Sequence, residues 1–124
     1  MKIGEVANRA GVSIDTVRFY ERVGVLPKPA RTASGYRDYE PATIERIQLT
    51  RELQAIGFTL SDAVEALKAH DAGGATCESE RWRLQGVLDR VDAKLDELNA
   101  LRGRIVEVQA ACADGHCRFA TTRE

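Results

Sequence analysis

Ile3-Gly4-Glu5-Val6-Ala7-Asn8-Arg9-Ala10-Gly11-Val12-Ser13-Ile14-Asp15-Thr16-Val17-Arg18-Phe19-Tyr20-Glu21-Arg22 is the stretch that decides the fold. Val6, Ala7 and Ala10 form an apolar stripe at helical spacing, and Gly11 can take the positive φ that ends a helix. Ser13 then caps a second helix, with Asp15 in its first turn complementing the macrodipole. On that helix Ile14 and Val17 are expected to pack inward, leaving Thr16, Arg18 and Tyr20 for a partner. A short helix, a three-residue turn and a second helix bearing arginines have the shape of a helix-turn-helix, whose second helix enters the DNA major groove. The plainer alternative is an ordinary αα-hairpin in a small helical domain.

Working outward, Gly24 to Tyr39 holds two of the three prolines and two glycines, so it cannot be helical throughout. Tyr36, Arg37 and Tyr39, following the Ser34-Gly35 turn, predict a short β-hairpin, or wing. Pro41 suits the first position of a third helix running to about Ile56, with Ile44, Ile47, Leu49 and Leu53 buried and Gly57 ending it. Thr59-Leu60-Ser61-Asp62 is a capping box for a fourth helix with Ala63, Val64 and Leu67 inside. Gly73-Gly74 breaks the chain again.

From about Glu78 to Ala111 there is no proline and there are two isolated glycines, Gly86 and Gly103. Leu84, Leu88, Val91, Leu95 and Leu98 are spaced 4-3-4-3, and Leu101, Ile105, Val108 and Cys112 continue the seam after one three-residue step. That is a coiled-coil pattern with a single phase slip. Thr76 can cap its start. One helix cannot bury such a seam alone, so it needs a partner helix; a hairpin turning near Asn99 or Gly103 is the alternative.

A chain of 124 residues supports one compact domain plus an extension. The expected division is residues 1–70 as a DNA-binding domain and 71–124 as a dimerisation helix with a C-terminal loop. Without a bilayer-length apolar run or a signal-peptide pattern, no membrane association and a cytoplasmic location are expected. The net charge is −1, but its distribution is uneven. Residues 1–51 carry nine Lys/Arg against six Asp/Glu, and residues 52–124 nine against thirteen, which suits a chain that docks one end on phosphate. Three cysteines are an odd count, so a disulfide framework is not expected and metal binding or thiol reactivity gains ground.

With these residues in view, the chain resembles the MerR family of transcriptional activators over essentially its full length. The resemblance is carried by Ile3-Gly4-Glu5-Val6-Ala7, Gly11-Val12-Ser13, Thr16-Val17-Arg18-Phe19-Tyr20-Glu21, Gly24-Val25-Leu26 and Gly35-Tyr36-Arg37-Asp38-Tyr39. Ile47, Ile56-Gly57-Phe58-Thr59-Leu60 and the long helix extend it. It implies a mainly α fold: a winged helix-turn-helix head followed by a long dimerisation helix, paired in a homodimer as an antiparallel coiled coil. Ser13, Thr16, Arg18 and Tyr20 on the recognition helix could then reach bases and phosphates, and Arg31, Tyr36 and Arg37 could clamp the backbone from the wing. Arg18 and Arg37 lead this set because guanidinium forks match phosphate oxygens. Phe19 and Phe58 are expected in the core.

Cys77 opens the long helix and Cys112 lies 35 positions later, about 50 Å along a continuous helix, too far apart to share an ion within one chain. In the antiparallel dimer, Cys77 of one protomer would meet Cys112 and Cys117 of its partner. Asp114-Gly115 allows the chain to turn between the last two. Three thiolates suit a soft ion, whereas zinc would want a fourth ligand, which His116 could supply. The cysteine positions resemble those of the mercury-, cadmium- and lead-responsive members, although the loop from Cys112 to Cys117 is shorter than in the mercury type. The expected inducer is a soft divalent ion, Hg(II) first, then Cd, Pb or Zn. The implied mechanism distorts promoter DNA into a form that RNA polymerase can use. The alternative is a thiol-based redox or electrophile sensor with the same head. His70 and His116 are the nearest bases for a cysteine nucleophile, but nothing resembles a triad, so no enzyme is expected.

Overall fold

The computed structural model describes residues 1–116. Two compact units divide the chain, Met1–Leu84 and Gln85–Glu124, so the first reaches beyond residue 70 to take in the start of the long helix.

In the first unit α1 (Ile3–Ala10) and α2 (Ile14–Val23) are joined by a tight turn. Gly11 takes φ 73, the left-handed conformation that stops α1 and that a side chain would strain. The wing follows as an antiparallel pair, β1 (Ala30–Arg31) and β2 (Arg37–Asp38), with Arg31 opposite Arg37. Tyr39 N–H donates to the Met1 carbonyl at 2.8 Å, which fastens the base of the wing to the start of the chain.

Next come α3 (Ala42–Ala55) and α4 (Leu60–Ala72). The capping box of α4 is complete: Asp62 N–H donates to Thr59 Oγ1 at 3.1 Å and Thr59 N–H to the Asp62 carboxylate at 3.0 Å. The core gathers Val6, Ala7, Ala10, Val17, Tyr20, Val25, Leu26, Tyr39, Ile47 and Leu67.

On α3 the expected inner face needs correction. Ile47 is fully buried, but Leu49 is half exposed, and Thr43 and Thr50 take the inner positions instead. Thr50 can be buried because its hydroxyl donates to the Arg46 carbonyl at 2.8 Å, which removes the desolvation cost.

α5 (Cys77–Ala113) is one continuous helix of 37 residues. Its start is capped reciprocally: Ser79 N–H donates to Thr76 Oγ1 at 3.0 Å and Thr76 N–H to Ser79 Oγ at 2.9 Å. Within the second unit, the seam residues Leu88, Val91, Leu95, Leu98, Leu101, Ile105 and Val108 are all 38–61 % exposed. An apolar stripe of that length on a single helix is an unmet burial demand. Among the described residues no helix is long and apolar enough to cross a membrane.

Candidate nucleic-acid interface and thiol site

The α2 helix begins with two held hydroxyls. Ser13 Oγ accepts from Thr16 N–H at 3.1 Å and lies 2.9 Å from Thr16 Oγ1, so both expected contact residues sit at the N-terminus of α2. Arg18 is exposed on the next turn, with Asp15 a loose 3.9 Å away.

Tyr20 does not belong to this surface. It is 6 % exposed, and its hydroxyl donates to Gln54 Oε1 on α3 at 3.1 Å. Three residues after the fully buried Val17, it falls on the same inward face. The expectations for Ile14 and Phe19 reverse with it: both are 40 % exposed. Phe19 lies on the outer face with the Arg22 guanidinium 5.7 Å from its ring centre, within cation–π range. Phe58 is buried as expected.

On the wing, Arg31 Nη1 donates to the Gly35 carbonyl at 2.8 Å, while Thr32 N–H donates to the Tyr36 carbonyl at 2.7 Å. These bonds hold the turn, and Tyr36 projects from it 68 % exposed.

Glu21 joins wing and helix. Its carboxylate accepts from Arg37 Nε at 3.2 Å through one oxygen and from Tyr39 Oη at 3.0 Å through the other. Burial of Tyr39, followed by its hydrogen bond to Glu21 and the charge of that carboxylate, pushes the phenol up to about 12. Arg37 is therefore positioned by an acidic neighbour, with the ion pair made through Nε.

Arg18, Glu21, Arg22, Lys28 and Arg37 line one cleft of about 290 Å³ between α2 and the wing. Four cations against one carboxylate, on a helix-turn-helix, make a surface suited to a phosphate backbone. Sequence reasoning passed over Arg22, Lys28 and Glu21. The signal for Arg22 was available, since it stands four residues after Arg18 and so shares its helix face.

The thiols fall where the long helix puts them. Cys77 is exposed and free at the first residue of α5. Cys112 is exposed near the other end and is disulfide-bonded, contrary to the expectation from the cysteine count. Cys117 lies outside the described residues. His116 follows the turn at Asp114-Gly115, its N–H donating to the Ala111 carbonyl at 2.7 Å. Among the described residues no three His, Cys, Asp or Glu side chains gather at one point.

Comparison with known proteins places these features in context. Residues 1–70 match the MerR HTH family regulatory protein family, and residues 44–108 match the family described as MerR, DNA binding. The mercuric resistance operon regulatory protein of Bacillus cereus is 30 % identical over 113 residues, covering 91 % of this chain and 86 % of that one. The HTH-type transcriptional regulator ZntR of Escherichia coli K12 is 30 % identical, covering 90 % of this chain and 79 % of that one. Among solved structures, the transcription regulator PbrR691 from Ralstonia metallidurans CH34 in complex with lead(II) superposes with a TM-score of 0.83 at 30 % identity, covering 100 % of this chain and 93 % of that one.

Proposed function

The chain belongs to the MerR family of helix-turn-helix regulatory proteins and is a DNA-binding transcriptional regulator, not an enzyme; from this premise we propose that it responds to a soft divalent metal ion, Hg(II) ahead of Cd(II), Pb(II) and Zn(II). The observation that carries the proposal is the presence of Cys77 and Cys112 at opposite ends of one unbroken helix. Their 35-residue separation corresponds to about 50 Å, so no ion can bridge them within one chain. Two copies of α5 laid antiparallel along their exposed seams bring Cys77 of each protomer to the end of the other helix. The donors at each end would be Cys77 from one chain with Cys112 and Cys117 from its partner.

The chemistry of this donor set fits a thiophilic ion. A thiolate is the metal-binding form, and Cys77 sits where a helix N-terminus favours an anion. Cys112 has to be reduced before it can bind. Cys112 and Asp114 stand at the negative end of the α5 dipole, where a bound cation relieves the unfavourable charge. Names of the relatives mention mercury in one case and lead in another, which supports a soft divalent ion as the class of inducer.

On the DNA side, Ser13, Thr16, Arg18, Arg22, Lys28 and Arg37 are the proposed phosphate and base contacts, with Arg31 and Tyr36 reaching from the wing. The two heads of a dimer would grip a near-palindromic promoter. Metal occupancy would bias between two arrangements of the heads, and so of the DNA presented to RNA polymerase. The experiment is a competition titration of Hg(II), Cd(II), Pb(II), Zn(II) and Cu(I) on reduced protein bound to its promoter. Thiolate-to-metal absorption and DNA unwinding should respond together, most strongly to Hg(II). Unwinding by none of these ions would reject the metal reading.

A second reading rests on the disulfide at Cys112. An oxidant sensor of the same fold would change its DNA complex with thiol oxidation and remain indifferent to metals under reducing conditions.

A further inference from the structure

Glu80 lies in the first turn of α5, and its Oε1 stands 3.5 Å from Arg83 Nε. Both atoms are shut away from solvent, yet neither makes a hydrogen bond. The Arg83 guanidinium lies instead over the Trp82 ring, 4.4 Å from its centre. A carboxylate oxygen sequestered without a donor bears a desolvation cost that the loose ion pair offsets only in part, and it is suited to accept a cation.

Cys77 precedes Glu80 by three residues. On a helix that spacing puts both side chains on one face, with about 5–6 Å between Cβ atoms, close enough for a thiolate and a carboxylate to hold one ion. Their placement agrees: both line the same groove of about 500 Å³ within the first compact unit, alongside Leu53 and Phe58. Apolar walls strengthen the attraction between an anion and a cation. Arg81 and Arg83 border the same groove, which offsets the charge of a carboxylate set beside thiolates.

We propose that Glu80 is a further ligand of the shared thiol site and sets its selectivity, admitting Cd(II) and Zn(II), whereas Hg(II) is held by the thiolates without it. The proposal rests on the shared-thiol reading above and adds an oxygen donor from the protomer that supplies Cys77. Thiolates select soft ions and carboxylates suit harder ones, while zinc takes a four-coordinate shell in which both kinds of donor occur. One carboxylate beside the thiolates therefore serves the ions that need a fuller shell. Hg(II), the softest of the three, gains little from the oxygen. Among the described residues of one chain no third His, Cys, Asp or Glu joins Cys77 and Glu80. The remaining donors come from the far end of the second α5, where the partner's Cys112 stands.

The test compares wild type, Glu80→Gln and Arg83→Gln as reduced full-length protein, with Hg(II) and Cd(II) as probes. Glu80→Gln keeps the size of the side chain and removes its charge. It should leave the affinity and stoichiometry for Hg(II) unchanged and move the cadmium NMR resonance. It should also weaken Cd(II) binding at least about 10-fold, the lower end of what losing even an outer-shell partner costs. Arg83→Gln breaks the ion pair but keeps the donor, so its cadmium resonance should stay where the wild type has it. Absence of thiolate-to-metal absorption with either ion in the wild type overturns the shared-thiol reading and Glu80 with it. Absorption in the wild type with a cadmium resonance indifferent to Glu80→Gln overturns the ligand alone. An equal loss of Hg(II) and Cd(II) affinity in Glu80→Gln overturns the selectivity, and a resonance that moves as far in Arg83→Gln reduces Glu80 to a structural partner of Arg83.

Discussion

Tyr20 on α2 donates its hydroxyl proton to Gln54 Oε1 on α3 at 3.1 Å, so the recognition helix is tied to the helix behind it from within the core. Tyr20→Phe should leave the DNA affinity and its salt dependence unchanged while lowering the stability of the head by about 1 kcal/mol, the net worth of one hydrogen bond. Salt-dependent binding and thermal unfolding of the variant check this. A changed salt slope would return Tyr20 to the interface.

Arg18 and Arg22 stand on the outer face of the same helix. Arg18→Ala or Arg22→Ala should each reduce the slope of log K against log salt by about 0.9, as the loss of one phosphate contact requires. Fluorescence anisotropy over a range of salt concentrations is the measurement, and an unchanged slope in both would remove the α2 arginines from the phosphate backbone.

Glu21 is the one carboxylate lining the basic cleft. Glu21→Gln should tighten DNA binding at low salt, because it removes a negative charge from the DNA-facing surface and releases Arg37 from its ion pair. It should also destabilise the head by about 1–2 kcal/mol through the weakened bonds to Arg37 and Tyr39. Tighter binding together with a lower melting temperature is the expected signature.

The same carboxylate bears on alkaline stability. Tyr39 is held in its neutral form up to about 12, against an ordinary value of 10.0. A phenol whose folded value is raised contributes stability that is fully present below pH 10.0 and is lost as the pH rises through about 12. Tyrosinate absorbance of the wild type minus that of Tyr39→Phe should therefore show a late-titrating group. Ionisation of Tyr39 at its ordinary value would refute its burial together with its pairing with Glu21.

At the acid side, Arg46 grips Asp71 through two parallel bonds of 2.8 Å, which join α3 to the end of α4. The hydrogen bonds to Arg46 hold the Asp71 carboxyl below the usual carboxylate range. A depressed acid stabilises the fold above its ordinary value, and that contribution fades as the pH falls through the lowered one. Because the side chain is half exposed, the effect is about 1 kcal/mol at most. Asp71→Asn should flatten the acid limb of the stability profile, while a profile identical to the wild type would show the pair to be idle.

The shared thiol site has its own genetic test. Cys77→Ser homodimers and Cys112→Ser/Cys117→Ser homodimers should both fail to bind Hg(II) tightly. A mixed dimer should recover one of the two sites, because one of its ends would again hold all three thiols. Thiolate-to-metal absorption at half the wild-type stoichiometry is the expected result. A folded, DNA-competent mixed dimer that stays blind to metal would overturn the cross-protomer site.

Local chemistry made much of this protein legible from its sequence. Ser13 and Thr59 cap helices because a side-chain oxygen next to an unpaired N–H acts over one turn, whatever surrounds it. Gly11 ends α1 for a reason internal to its own residue, and the 3-4 spacing of the seam marks α5 without reference to the head. Tertiary packing decided the azimuth of α2. A ten-residue helix with apolar side chains at Ile14, Val17, Phe19 and Tyr20 can turn either aromatic inward, and the pattern alone does not choose. Gln54, 34 residues downstream, offers Tyr20 a partner for its hydroxyl, which makes Tyr20 the aromatic that can be buried without an orphaned polar group. On α3 the buried Thr43 and Thr50 and the half-exposed Leu49 follow from where neighbouring helices stand, not from periodicity. Glu21 reaches Arg37 and Tyr39 across 16 and 18 residues of intervening chain, a relation that no local rule contains. Caps and periods are nearest-neighbour effects and can be read along the chain, whereas the partner of a buried hydroxyl or a bridging carboxylate exists only once the chain has folded to bring it there.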